Sequence, residues 1–207
     1  MKSFNSLYTQ LLESFLVPRK TAEQKAQDPN HPDRVRRISL QARLQQKLQY
    51  VLDNPGVREN LDLGELMTPL PENLKLKGYI NLGNNQHITT IPRGMSVKRF
   101  LILRGSNVES ISNDVEVTRA KNELGEKCKG VIIAMHTPFA DKILKQNLSQ
   151  KDYNIAADAG HIARVPESVR DAVVALEAKI AKNYPNVKDG ISLSWITYYD
   201  YITPIGH

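Results

Sequence analysis

The amino-acid sequence predicts a mixed α/β fold: a short parallel stack of repeated strands flanked by helices, with an N-terminal helical arm and a C-terminal β-strand. Three observations point there. One pattern recurs about every twenty residues between Leu70 and Val117. Two stretches, 33–53 and 166–184, carry apolar residues at helical spacing. The tail Ile191-Ser192-Leu193-Ser194-Trp195 alternates apolar and polar side chains, the period of a strand. A fixed short period marks a unit that buries its apolar side chains only by stacking on copies of itself.

Taken from the N-terminus, Phe4, Leu7, Tyr8, Leu11, Leu12, Phe15 and Leu16 form a helical stripe that Pro18 stops. Residues 18–33 are polar, contain Pro18, Pro29 and Pro32, and read as a linker. A second helix starts with Asp33 as its cap. Val35, Ile38, Leu40, Leu44, Leu48, Val51 and Leu52 supply its apolar face, and Asn54-Pro55-Gly56 ends it. This divides the chain into a basic helical region, 1–56, and a repeat-containing α/β domain, 57–207.

Within the repeats, Leu74 and Leu76, then Ile80 and Leu82, are spaced by two, as are Met95 and Val97, then Leu101 and Leu103. Ile111-Ser112-Asn113-Asp114-Val115-Glu116-Val117 starts a third copy. Leu61-Asp62-Leu63-Gly64 matches Ile80-Asn81-Leu82-Gly83 and reads as a degenerate first one. Beyond the repeats, Thr118–Lys129 is polar and expected to be a loop or short helix. Gly130–Met135 is an apolar run that reads as a buried strand. Pro138–Leu148 reads as a short helix. Val169, Val173, Leu176 and Ile180 make 166–184 an amphipathic helix. The tail with Trp195, Tyr198, Tyr199 and Tyr201 is expected to dock, since its aromatic area is worth burying.

Leu70-Pro71 and Ile91-Pro92 open the two best copies, each followed by an L-x-L-type strand. Asn85 stands a few residues beyond the strand in one copy, and Ser106 takes its place in the next. In this the segment 70–117 resembles the short leucine-rich repeats of bacterial effectors and some bacteriophage proteins. That resemblance implies a stacked β unit presenting a protein-binding surface. The opening Met1–Phe15 (MKSFNSLYTQLLESF) resembles the starts of some tailed-phage virion proteins, which implies a structural or accessory component of a particle.

If Ile80, Leu82, Leu101 and Leu103 face the interior of the stack, then Tyr79, Asn81, Phe100, Ile102 and Arg104 point the other way. Phe100 and Ile102 are too apolar to stand side by side in water. Cover by one of the chain's own long helices is the favoured expectation; a protein partner bound across these five residues is the alternative.

Charge is uneven. Residues 1–47 hold nine Lys or Arg against four acids, +5 of the net +6. Arg34, Arg36, Arg37, Arg43 and Lys47 are therefore candidate contacts for an acidic partner or nucleic acid, with a solvated helix face as the plainer account. One cysteine rules out an internal disulfide and any multi-cysteine metal site. Cys128 lies between two lysines, which favour a thiolate, and with His136 or His161 it could form a nucleophile–base pair. His136, Asp141, Asp158 and His161 are the only other residues that suggest a hydrolase, transferase or metal site, and none of their spacings is a known metal pattern. Phosphate-loop, dinucleotide, nucleophile-elbow and zinc-protease motifs are missing. No cofactor or metal is expected. No apolar run approaches the ~20 residues that span a membrane, and Met1–Ser6 lacks the apolar core of a secretory signal. The expected location is cytoplasmic, or an assembled particle in a host cytoplasm.

The sequence thus favours a non-enzymatic protein-interaction or assembly component, with a protein partner or self-assembly. An enzyme using Cys128 or the His136/Asp158/His161 region is the first alternative. A non-specific nucleic-acid binder acting through residues 1–47 is the second.

Overall fold

The computed structural model describes residues 32–121, 127–158 and 165–202, with side chains in the first helix from Arg36 onward. The expected helix 4–16, most of the linker 18–33 and His161 lie outside these residues. Helix α1 runs Pro32–Asp53. Proline suits its first position, where the N–H would have no intrahelical acceptor, so Asp33 falls inside the helix instead of capping it. The chain divides into two compact units, Met1–Ala42 and Arg43–His207, with the division inside α1. The description that follows concerns the second unit. There Leu44, Leu48 and Val51 form the buried stripe of α1, and the chain turns through Gly56 at a φ of 80°.

Eleven short strands follow among the described residues: β1 (Leu61–Asp62), β2 (Ile80–Asn81), β3 (Thr90–Ile91), β4 (Ser96–Lys98), β5 (Phe100–Ile102), β6 (Ser110–Ile111), β7 (Glu116–Thr118), β8 (Ala120–Lys121), β9 (Lys127–Cys128), β10 (Val131–Ile133) and β11 (Gly190–Ser192). They wind as a three-sided coil. One side is a five-stranded parallel sheet in the order β1-β2-β5-β10-β11; β4 pairs with β7 on a second side and β3 with β6 on a third, both parallel. The spacing by two reveals the first two sides. The third, built from Thr90–Ile91 and Ser110–Ile111, is too short to show a period.

Register explains the repeat. Leu61 pairs with Ile80, Ile80 with Leu101, Leu101 with Ile132 and Ile132 with Ile191. These five aliphatics make one continuous column, none more than 1% exposed. Leu82 and Leu103 are equally buried, as the alternation requires. The degenerate copy at Leu61 is therefore a true coil. Two excursions lengthen the later coils. The antiparallel β8–β9 hairpin leaves between β7 and β10, where a loop or short helix was expected. Between β10 and β11 come α2 (Pro138–Asn147), α3 (Gln150–Ala157) and α4 (Glu167–Ala181). Thr137 caps α2, accepting from Ala140 N, and Ser149 caps α3, accepting from Asp152 N.

Asn85 stitches two coils together. Its amide is fully buried; Nδ2 donates to Leu63 O and Leu66 O, and Oδ1 accepts from His87 N and Ile88 N, all at 2.8 Å. Ser106, one coil on, is too short to repeat this, and its buried Oγ has no partner.

The C-terminal strand ends at Ser192, and from Trp195 the chain is helical: α5 runs Trp195–Ile202. The alternating tail conceals a helical spacing, since Trp195, Tyr198, Tyr201 and Ile202 share one face. That face packs on Phe100, Val131, Ile133 and Met135. The outer face of the sheet is thus covered by this chain, through an eight-residue helix where a long one was expected.

Glu177, on the apolar stripe of α4, fixes α5 in place. It is 1% exposed, and its carboxyl accepts from Leu193 N and Thr197 Oγ1 at 2.7 Å and from Tyr201 OH at 3.2 Å. Burial outweighs these donors and pushes its pKa up to about 7.

Candidate polyanion-binding cleft

The corner that leads into the five-stranded sheet is where the described residues of the second unit gather positive charge without a described acidic partner. Val57 pairs with Leu76 and Lys75 with Ser96, all parallel. This register sets Arg58 beside Lys77, and Lys77 beside Lys98. Consecutive coils therefore carry one cation each at the same position, about 4.8 Å apart. Like charges stacked in this way destabilise a sheet. Arg99 and Lys121 join the three around a cleft of about 770 Å³, which Asn60, Gly78 and Tyr79 also line. Among the described residues no carboxylate lines it, and none of the five cations forms an ion pair with a described acid. Arg93, Arg119, Lys145 and Arg170, by contrast, pair with Glu72, Asp189, Asp141 and Asp200.

Arg99 is the most constrained of the five. The same corner holds Gly78 in the preceding coil and Gly130 in the following one. A Cβ on Gly78 would lie 1.6 Å from Glu59 O, and one on Gly130 would lie 2.6 Å from Val117 O. Arg99 keeps a long side chain here with a φ of 73°, a left-handed conformation that costs a non-glycine residue about 1 kcal/mol or more. Its guanidinium carbon sits 4.9 Å from the centroid of the Phe100 ring, and its buried Nε has no hydrogen-bond partner. A strained backbone holding an unsatisfied donor at the mouth of a cationic cleft is the kind of outlier that accompanies ligand sites. Tyr79, half-buried, packs against the Phe100 cluster while lining the cleft.

The residues singled out in the sequence are placed as follows. Phe100 lies under α5, 7% exposed, with Tyr79 and Ile102 partly buried against the same cluster. Asn81 turns its Oδ1 to Gly83 N at 2.9 Å. Arg104 lays its guanidinium 4.1 Å from the Trp195 ring centroid. Within the outer-face set Phe100 is therefore covered by its own chain, Tyr79, Asn81 and Ile102 are partly buried, and Arg104 is exposed. Cys128 is buried in β9, opposite Ala120, and His136 follows the far end of β10. Residues 130–134 between them span about 13 Å at ~3.3 Å each. His136 is exposed at a φ of 56°, its ring 6.0 Å from that of Trp195. Partial burial, then the nearby Arg104, lower its pKa. Asp158 follows the last turn of α3, and His161 lies outside the described residues. Among the described residues, no three His, Cys, Asp or Glu side chains gather as a metal site. No helix among them is long and apolar enough to cross a membrane.

Of the basic residues on α1, the side chain of Arg34 is outside the description; Arg36 and Arg37 are exposed in the first unit. In the second, Arg43 and Lys47 line a shallow cleft of about 300 Å³ with Tyr50, Val51 and Leu61.

The cationic column was the feature that sequence reasoning missed. Net charge summed over 48–207 is small, which hides a local cluster. The signal was there in the repeat itself, since Arg58, Lys77 and Lys98 recur at the coil period. No protein-family model, curated protein or solved structure matches this chain.

Proposed function

We propose that this chain is a non-enzymatic interaction or assembly component whose β stack holds an anionic partner in the corner cleft. The observation that carries the reading is the in-register column Arg58–Lys77–Lys98, completed by Arg99 in a strained conformation, with no carboxylate among the described lining residues. Stacked like charges weaken a free sheet and gain from a bound anion. Guanidinium forks and ammonium groups bind phosphate or carboxylate oxygens, and among the described residues no nucleophile–base pair lines the cleft to act on what is bound. A role in a phage particle, taken from the resemblance at the N-terminus, is a specific form of this proposal, as is a cytoplasmic setting.

Heparin-affinity chromatography tests it with a generic polyanion. The double variant Lys77→Gln/Lys98→Gln keeps the basic residues 1–47 intact, so it isolates the cleft. It is expected to elute at clearly lower salt than the parent chain. Identical elution of a folded double variant would remove the cleft from consideration.

A further inference from the structure

We infer that the anion held in this cleft is the backbone of a single-stranded nucleic acid, with one base stacked on Tyr79. This rests on the polyanion reading above and narrows it. The cations sit at successive coil positions and not around one point, so they track an extended chain of charges: Arg58 to Lys98 covers two coil steps, about 10 Å. A cleft of about 770 Å³ falls in the upper part of the range that encloses organic ligands, well beyond a lone phosphate. Its walls are mainly short strands and corners; no helix lies among the lining residues to enter a duplex groove, and of the two-stranded β8–β9 ribbon only Ala120 and Lys121 line the cleft. Tyr79 supplies what an acidic peptide would not need. It is an aromatic side chain among the cations, braced by the Phe100 cluster behind it. A charged groove tracking the backbone beside an aromatic platform is the arrangement by which single strands are held without sequence preference. The buried Arg99 Nε, without a protein partner, is a donor suited to a phosphate oxygen.

The test is fluorescence anisotropy with the full chain and three labelled probes: a dT12 oligonucleotide, a duplex of the same length, and a twelve-residue polyglutamate. The dT12 oligonucleotide is expected to bind most tightly. Its affinity should fall with salt at a log–log slope of about −2 to −3.5, the value for three to five phosphate contacts at ~0.7 each. Lys98→Gln should reduce that slope by about 0.7. Tyr79→Leu should weaken dT12 binding roughly 5- to 100-fold with the slope unchanged, and leave polyglutamate binding as it was. Tyr79→Phe should bind like the parent chain. Arg99→Gly, which relieves the left-handed φ, should fold at least as well and bind dT12 more weakly, so the test survives a poorly folding Tyr79 variant. If polyglutamate or the duplex binds as tightly as dT12, or if Tyr79→Leu leaves dT12 binding intact, the nucleic-acid inference is overturned while the polyanion reading stands. If no probe binds and heparin elution is unchanged in the double variant, both fall.

Discussion

Replacing Glu177 by Gln separates the energetics of the α4–α5 clasp from the rest of the fold. The carboxyl is buried against Leu193 N, Thr197 and Tyr201, and its pKa rises from 4.5 to about 7 because desolvation exceeds what the three donors return. Below pH 4.5 the acid is protonated in the folded and unfolded chains alike, and the stabilisation is complete. Between 4.5 and 7 only the folded chain retains the proton, so stability falls as pH rises. Above 7 it levels off at the reduced value. A shift of that size at 1.36 kcal/mol per unit amounts to about 3 kcal/mol. Urea unfolding followed by the fluorescence of Trp195, the only tryptophan, measures it at pH 4.5, 6 and 7.5. The parent chain should lose about 3 kcal/mol across that range relative to Glu177→Gln, which cannot ionise. His136, with its lowered pKa, acts in the opposite direction and cancels in the difference. Parallel stability curves for the two proteins would refute the reasoning, as would a parent chain that gains on the variant with rising pH.

Three further outcomes follow from the packing. Asn85→Ala strips two carbonyls of their donors and two N–H groups of their acceptor, so it should cost about 3 kcal/mol or more in urea unfolding; a loss under about 1 kcal/mol would mean that water replaces the amide. Trp195→Ala should cost about 3 kcal/mol and raise binding of an apolar dye, because Phe100, Ile133 and Met135 lose part of their cover; unchanged dye binding would count against α5 as the cover. Arg99→Gly should raise the melting temperature or leave it unchanged, since it relieves a left-handed φ, while lowering the salt needed to elute from heparin. A clear fall in melting temperature would show that the guanidinium over Phe100 contributes more than the backbone strain costs.

The β stack was legible because its core obeys two periods at once, two along each strand and about twenty between coils, so Ile80 and Leu101 could be paired from spacing alone. Elements whose partners are distant in sequence were harder to read. Ile191 to Trp195 alternates as a strand should, yet helix begins at Trp195, because its aromatic face has the exposed side of β5 and β10 to cover. Helix α3 carried a readable signal, Ser149 followed three residues later by Asp152. Glu177 falls four residues after Val173, on the buried stripe of α4, where a carboxyl is tolerated only because residues 193–201 bring it donors. The cleft depended on reading charge by column instead of by segment. The same columns explain why the outer-face residues could not be assigned from alternation alone: the direction in which Phe100 points was readable, but the helix above it was not.

Because each side chain of a coil rests on its counterpart one turn away, the length of the cationic row is set by how many coils the chain contains. Duplicating the twenty-one residues from Lys75 to Met95 in frame would add a rung carrying another Lys77, with Asn85 available to tie the new turn to its neighbour. The reach of the site is in this sense a countable property of the gene, adjustable in steps of one turn without redesigning any surface.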